Sequence, residues 1–134
     1  MIIDTSALAA ILKKEEGGSR FDEEISRSKD PRISAATYLE LAIVVDRRGD
    51  AVVSRQLDDF LGRAAIVIEP VTERQARIAR EAYRDYGKGS GHPAGLNFGD
   101  CFAYALARDM DEPLLFKGND FSRTDIKSAL SGGE

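Results

Sequence analysis

Short apolar segments alternate with longer amphipathic segments along the whole chain. The short ones predict strands at 2–3, 31–33, 66–68 and 114–116. Most of the longer ones repeat apolar residues every three or four positions and predict helices over 6–12, 36–48, 53–64, 72–86 and 100–108, and the polar segment 19–29 predicts a further, exposed helix. This alternation is typical of an α/β fold with a mainly parallel sheet, in which sites lie at the carboxyl ends of the strands.

The length and the few breaks in the pattern indicate one domain. With 134 residues the chain has the size of a single domain, which we expect over 1–126, followed by a flexible tail over 127–134. The segment 87–95 contains four glycines and a proline, so we expect a flexible lid there rather than regular structure.

Composition limits the chemistry that the chain can perform. One cysteine and one histidine exclude disulfide scaffolds, zinc fingers and thiolate clusters, because each needs several such residues. The 23 acidic and 19 basic residues give a net charge of −4, so metal or acid–base chemistry must be built mainly from carboxylates. A single cysteine, Cys101, and the lack of a signal peptide or of a long apolar run predict a soluble cytoplasmic protein without a membrane segment.

Four acids stand at unusual positions. Asp4 directly follows the first predicted strand, and Asp120 comes four residues after the last one. Glu40 lies in a helix that is apolar nearly all round, which predicts burial, and Asp100 opens another apolar helix. Helix capping is an ordinary alternative for Asp4 and Asp100, as a turn is for Asp120. The four together are harder to explain in that way.

Carboxylates can converge on one pocket only if something offsets their mutual repulsion, which otherwise raises their pKa values. A hard divalent cation such as Mg²⁺ does so, since it binds carboxylate and water oxygens. A metal ion held in this way can activate water for an in-line attack on a phosphodiester.

The sequence resembles PIN-domain ribonucleases, in particular VapC-type toxins of bacterial toxin–antitoxin pairs. The resemblance rests on MIIDTSAL at 1–8, Glu40 within a helix, FGDCFAYALA at 98–107 and PLLFKGNDF at 113–121, and it covers the full length in order. It implies a three-layer α/β/α sandwich and an endoribonuclease that depends on Mg²⁺ or Mn²⁺ and cleaves tRNA or other structured RNA. It also implies a homodimer that a VapB-type antitoxin silences.

The same resemblance assigns roles to the four acids. Asp4, Glu40 and Asp100 match the three regular acids of the family, and Asp120 matches a fourth, less regular position that Asn119 could share or take. Asp4 and Asp100 are expected to bind the metal directly. Glu40 and Asp120 would orient waters or bind a second ion. Ser6 resembles the hydroxyl that members of the family place beside the first acid.

A stripe of basic residues on the helix over 72–86 is a candidate RNA contact. Its members follow at spacings of three or four and are Arg77, Arg80, Arg84 and Lys88, extended by Arg74. Glu73 and Glu81 stand four residues on either side of Arg77, so ordinary surface ion pairs are the alternative. A second basic set, a candidate for contact with RNA or with the antitoxin, consists of Arg47, Arg48, Arg55 and Arg63.

Other functions remain open at this stage. A haloacid-dehalogenase-type phosphatase also begins with Asp after a strand, but it needs a second Asp where this chain has Ser6. A PIN-domain ribonuclease of RNA maturation without an antitoxin, or a PIN-like binding module without activity, are the other readings. His92 lies in the glycine-rich loop without a Ser or Cys nucleophile nearby, so a surface or substrate-side position is favoured over a general base.

Overall fold

The computed structural model describes residues 1–130 and contains four strands and six helices. The strands are β1 (Ile2–Ile3), β2 (Arg32–Ser34), β3 (Val67–Glu69) and β4 (Leu114–Leu115). The helices are α1 (Thr5–Leu12), α2 (Gly18–Arg27), α3 (Ala35–Arg47), α4 (Ala51–Arg63), α5 (Glu73–Tyr86) and α6 (Phe98–Met110). A short 3-10 helix follows over Phe121–Arg123. Every predicted strand and helix is present, with ends displaced by a few residues.

The four strands form one fully parallel sheet in the order β3-β2-β1-β4. Ile2 of β1 is paired with Arg32 on one side and with Leu114 on the other. Because β1 lies in the interior of the sheet, its carboxyl end opens between two neighbouring strands. This is the place where parallel α/β sheets carry their sites.

Two hydrophobic cores lie on the two faces of the sheet. Ile3 and Leu115 face a core that is completed by α1, α2, α3 and α4. Ile2 and Leu114 point the other way, as successive strand residues do, into a core completed by α5 and α6. The three-layer α/β/α sandwich is therefore confirmed. No helix within residues 1–130 is long and apolar enough to cross a bilayer.

Helix α3 corrects one prediction. Its near-continuous apolar sequence predicts burial all round, yet Leu39 is 57% exposed and Ile43 is 46% exposed. Only the face of Thr37, Leu41 and Val45 turns towards the interior. The expectation that Glu40 is buried is wrong, since its side chain is exposed.

The acids at the two helix starts differ in their roles. The Asp4 carboxylate caps α1, as the ordinary alternative for this residue predicts. Helix α6 begins at Phe98 with Asn97 as its N-cap, so Asp100 lies inside the first turn. Asp100 is therefore not the N-cap of α6. It forms a reciprocal pair of hydrogen bonds with Asn97, the residue that is the N-cap.

The end of the described chain is tied to the sheet. The Leu114 amide donates to the carbonyl of Lys127 at 2.9 Å, and the Ala129 amide donates to the carbonyl of Leu114 at 2.8 Å. Ala129 and Leu130 pack against the first core. Residues 127–130, part of the tail expected over 127–134, are therefore held by these contacts, and residues 131–134 lie outside the described part of the chain.

Candidate active site

The centre of the candidate site is Asp4, at the carboxyl end of β1. Its amide donates to the carbonyl of Leu115 at 3.0 Å, which fixes the backbone beside β4, and the residue is only 5% exposed. Asp4 Oδ2 accepts the amide of Ser6 at 3.0 Å and the Ser6 hydroxyl at 2.7 Å. Burial raises the pKa of Asp4, and the Glu40 carboxylate raises it further, against the lowering effect of the Ser6 bonds.

Ser6 joins the ends of two strands. Its hydroxyl donates to Asp4 and accepts the backbone N–H of Lys117, which follows β4, at 2.9 Å. These contacts place the Ser6 hydroxyl beside Asp4, the first of the four acids. Through this hydroxyl the loop after β4 is anchored directly to the Asp4 carboxylate.

Glu40 reaches the site from α3. Its Oε1 accepts the Thr5 hydroxyl at 3.0 Å. Its carboxylate lies against the Cα of Gly99, where a side-chain methyl would overlap it. Glu40 is therefore placed between the start of α1 and the start of α6, although the helix that carries it is half exposed.

Asp100 points into the same space from the first turn of α6. Its Oδ2 accepts the Asn97 amide at 3.0 Å, and its own amide donates to Asn97 Oδ1 at 2.9 Å. Burial raises its pKa to about 6, and the carboxylates of Asp4, Asp120 and Glu40 act in the same direction. All four predicted acids are thus close enough to interact electrostatically at one place.

The fourth position lies on the loop after β4. Asp120 is exposed and directly precedes the 3-10 helix, whose Phe121 is buried and anchors the loop. The Asn119 carbonyl accepts the Ser122 hydroxyl at 2.7 Å, so its backbone shapes this turn. The carboxylate of Asp120 contributes to the raised pKa of Asp100. This contribution shows that the Asp120 carboxylate lies near Asp100.

The donor set fits a hard cation. Within residues 1–130, no three His, Cys, Asp or Glu side chains are arranged as a ready-made metal cage. Mg²⁺ does not require one, because it usually takes one or two protein carboxylates and keeps several waters. The raised pKa values of Asp4 and Asp100 show carboxylates in a crowded, poorly hydrated place, which a cation would relieve.

The basic stripe on α5 is partly engaged in surface ion pairs. Arg77 Nε donates to Glu73 Oε2 at 2.9 Å, as the ion-pair alternative predicts, and Arg84 Nε donates to Asp85 Oδ1 at 2.9 Å. Arg80 borders an apolar groove between α5 and α6. Lys88 is exposed beyond the helix. An RNA contact by these four residues stays a prediction.

The loop residue His92 has a structural contact. Its ring packs edge-on against Tyr86 with centroids 4.9 Å apart, and its Nδ1 accepts the Ala94 amide at 3.0 Å. Cys101 is buried in the second core, as expected. Neither residue is among the contacts of the four carboxylates.

Sequence reasoning missed three contributors to the site. Thr5 binds Glu40, Gly99 leaves room for the Glu40 carboxylate, and Lys117 binds Ser6. Gly99 next to an acid in a helical stretch was a usable signal, since glycine weakens a helix and is often kept for close approach. The other two depend on long-range contacts that no local pattern reveals.

The comparisons with known proteins agree with this geometry. The PIN domain family matches residues 1–127. Ribonuclease VapC28 of Mycobacterium tuberculosis is 56% identical over 130 residues, covering 97% of this chain and 98% of that protein. Ribonuclease VapC42 of the same species is 50% identical over 131 residues, covering 98% and 100%.

Two solved structures share the fold at 16% identity. The crystal structure of Mycobacterium tuberculosis VapC20, described as a sarcin-ricin loop cleaving toxin, has a TM-score of 0.74 and covers 93% of this chain and 95% of its own. A toxin–antitoxin complex from Klebsiella pneumoniae has a TM-score of 0.69 and covers 90% and 89%. With the family match and the similarity over nearly the full length of the relatives, the chain belongs to the PIN-domain family and, within it, to the VapC ribonucleases.

Proposed function

We propose that this VapC ribonuclease is an endoribonuclease that depends on Mg²⁺ or Mn²⁺, with Asp4 and Asp100 as the metal-binding residues. The observation that carries the proposal is the convergence of four carboxylates at the carboxyl end of β1, with the pKa of Asp4 and of Asp100 raised. Crowded carboxylates are costly in the free protein. A bound cation makes the arrangement favourable.

In each of the two proposed metal-binding carboxylates, the hydrogen bonds from the neighbouring Ser6 or Asn97 end on one oxygen, Oδ2. Both bonds from Ser6 end on Asp4 Oδ2, and the bond from the Asn97 amide ends on Asp100 Oδ2. The two Oδ1 atoms receive none of these bonds. The ion, when bound, supplies an activated water and stabilises negative charge on the attacked phosphate.

The remaining acids act on water. Glu40 is held through Oε1 by the Thr5 hydroxyl at 3.0 Å, so its other oxygen can orient the attacking water or accept its proton. Asp120, on the loop after β4, binds further water or a second ion. Asn119 is the replacement for Asp120 if its side chain turns inward.

The substrate that we propose is tRNA or another structured RNA, and the partner is a VapB-type antitoxin. The relatives are named VapC ribonucleases, and one structural neighbour is a toxin–antitoxin complex. A small gene directly upstream that encodes a DNA-binding protein would support the toxin assignment. RNA maturation without an antitoxin predicts no such gene and no growth arrest.

We also propose a homodimer that buries an apolar face. The groove between α5 and α6 is lined by Tyr83, Phe98, Phe102 and Arg80, and Phe98 is 76% exposed. Helix α3, which contacts α6 through Glu40 and Gly99, also carries an exposed Leu39. Exposed apolar area of this kind marks an interaction surface, and aromatic residues with Arg are typical of interface centres.

The active-site proposal is tested with conservative amide variants. Asp4→Asn and Asp100→Asn should abolish metal-dependent RNA cleavage and growth arrest on expression without antitoxin. Both should fold, because an Asn side chain can still accept the capping bonds that these carboxylates accept. Asp59→Asn on exposed α4 is the matched control and should remain toxic. Full toxicity of either site variant would contradict the assignment. A wild type that binds RNA but does not cleave it would favour the PIN-like binding module.

A further inference from the structure

The four carboxylates lack a basic partner within residues 1–130. No Lys or Arg hydrogen-bonds or ion-pairs with Asp4, Glu40, Asp100 or Asp120 in that range. A metal ion neutralises charge at the attacked phosphate alone. The neighbouring phosphates of an RNA strand need Lys or Arg contacts for affinity.

Many of the arginines are already held by acids close to them. Ion pairs of this kind are Arg27–Glu24, Arg32–Glu69, Arg74–Asp109, Arg77–Glu73, Arg84–Asp85 and Arg108–Asp125. None of these partners is one of the four site acids. A basic residue that hydrogen-bonds through its backbone to a residue of the site is a lysine.

Lys117 is that residue. Its backbone N–H donates to the Ser6 hydroxyl at 2.9 Å, and this hydroxyl donates to Asp4 Oδ2 at 2.7 Å. Lys117 also begins the loop that carries Asp120. Its backbone is therefore fixed at the rim of the acidic cluster, two hydrogen bonds from Asp4.

The Lys117 ammonium is turned to Glu15, in the connection between α1 and α2. The Nζ–Oε1 distance is 2.9 Å, and the side chains are 41% and 38% exposed. The hydrogen bond from Lys117 lowers the pKa of Glu15, and the charges of Lys13 and Arg48 act in the same direction. An anion is thus favoured at this place. Exposed ion pairs contribute little to stability, so another anion can replace the carboxylate at small cost.

We propose that Lys117 binds an RNA phosphate beside the attacked one, and that Glu15 holds the ammonium until this phosphate takes its place. The inference rests on the proposed ribonuclease function and adds a substrate-binding residue to it. Glu15 is then a competitor of the substrate. It lowers RNA affinity by occupying the cation that RNA needs.

The competitor role gives the two residues effects of opposite sign. Lys117→Met should weaken RNA binding about tenfold and reduce the slope of log affinity against log salt by about 1, as for the loss of one phosphate contact. Glu15→Gln should strengthen binding several-fold, because it releases Lys117. In cleavage assays the changes should appear in KM with kcat little altered. If the Lys117–Glu15 ion pair had only a structural role, both variants should weaken RNA binding to a similar degree.

The experiment measures binding of a fluorescein-labelled tRNA by anisotropy over a series of NaCl concentrations, in EDTA so that no cleavage occurs. Lys117→Arg should retain affinity, and Lys29→Met, with the same charge change on the α2–β2 connection, should affect it little. Wild-type cleavage in Mg²⁺ tests the ribonuclease function separately. The proposal is overturned if Lys117→Met behaves like Lys29→Met, if Glu15→Gln weakens binding, or if Lys117→Met impairs antitoxin binding while RNA affinity is unchanged.

Discussion

The Glu40 carboxylate lies directly on the Cα of Gly99, the residue before Asp100. Any side chain at position 99 would overlap that carboxylate. The absence of a Cβ on one helix therefore allows an acid from another helix to approach Asp100. The Thr5 hydroxyl also holds this carboxylate, by donating to Glu40 Oε1 at 3.0 Å.

Gly99→Ala should displace the Glu40 carboxylate while the fold is kept. The overlapping atoms are the end of a flexible, exposed side chain, so Glu40 can turn away. Replacing a helical glycine by alanine also favours the helix by about 0.5–1 kcal/mol. We expect kcat to fall at least tenfold without a lower melting temperature.

Gly62→Ala is the matched control for this change. Gly62 lies in α4 with open space around its Cα. The substitution should raise stability by a similar amount and leave RNA cleavage unchanged. Equal activity of the two variants would show that the position of Glu40 does not matter for the reaction.

Ser6→Ala should reduce both stability and activity. The hydroxyl donates to Asp4 Oδ2 and accepts the Lys117 amide, so its loss removes one of the two Ser6 bonds to a buried carboxylate and the side-chain acceptor of an exposed amide, at a cost of about 1–2 kcal/mol. The pKa of Asp4 should rise further, because the Ser6 bonds lower it. Urea unfolding and RNA cleavage check the expectation. Ser26→Ala removes an exposed hydroxyl bond within α2 and should lower the free energy of unfolding only slightly. An equal loss of stability in both variants would show that the Ser6 hydroxyl between Asp4 and Lys117 has no special role.

The sequence sufficed to predict the fold and to single out four acids that lie at one edge of the sheet. The strand before Asp4 and the apolar helix after Asp100 are local patterns, and the parallel alternation brings their ends to one edge of the sheet. The exposure of Glu40 was not predictable in this way. Apolar residues on a helix such as α3 can be buried within the chain, or they can be exposed on a surface that a partner protein covers. Composition does not distinguish these two cases.

The contacts that tune the site were outside the reach of local patterns. Ser6 and Lys117 are 111 positions apart, and Thr5 and Glu40 are 35 apart. Such pairs depend on strand order and on the angle at which a helix crosses the sheet. Periodicity determines neither of them.

The contribution of Asp100 to the stability of the metal-free protein should fall as the pH rises from about 4 to about 6. The pKa of Asp100 is raised from 3.8 to about 6 in the folded state, so in this window the folded chain holds a proton that the unfolded chain has released. Its stabilising contribution is complete below about pH 4 and is lost as the pH passes 6. Asp100→Asn should therefore be more stable than the wild type at pH 8 by roughly 1–2 kcal/mol. This is less than the free energy that corresponds to the whole pKa shift, because solvent screens a partly exposed group.

Urea unfolding in EDTA at pH 4.5 and pH 8 measures this difference. Asp59→Asn, on exposed α4, controls for the change in net charge. Equal stability of Asp100→Asn and the wild type at both pH values would contradict the crowding of carboxylates at the site.

Mg²⁺ or Mn²⁺ at millimolar concentration should raise the melting temperature of the wild type. A ligand that binds only the folded state stabilises it by mass action. The increase should be largest near neutral pH, where Asp4 and Asp100 are more fully ionised, and should disappear in Asp4→Asn. Differential scanning calorimetry with and without metal checks this. An equal increase in the wild type and in Asp4→Asn would place the ion elsewhere.

Phe98 should control self-association. Its side chain is 76% exposed at the start of α6 and borders the groove between α5 and α6. Because the side chain is exposed, its removal should leave the fold intact. A dimer interface at this groove would lose a central aromatic residue. Truncation of such a residue commonly costs 2 kcal/mol or more, or roughly a thirtyfold rise in the dimer Kd. Light scattering across a dilution series should therefore show Phe98→Ser as a monomer where the wild type is a dimer. Val52→Ser removes an apolar residue that is 55% exposed on α4 and should stay dimeric; a wild-type monomer, or the same mass for both variants, would exclude this face as the interface.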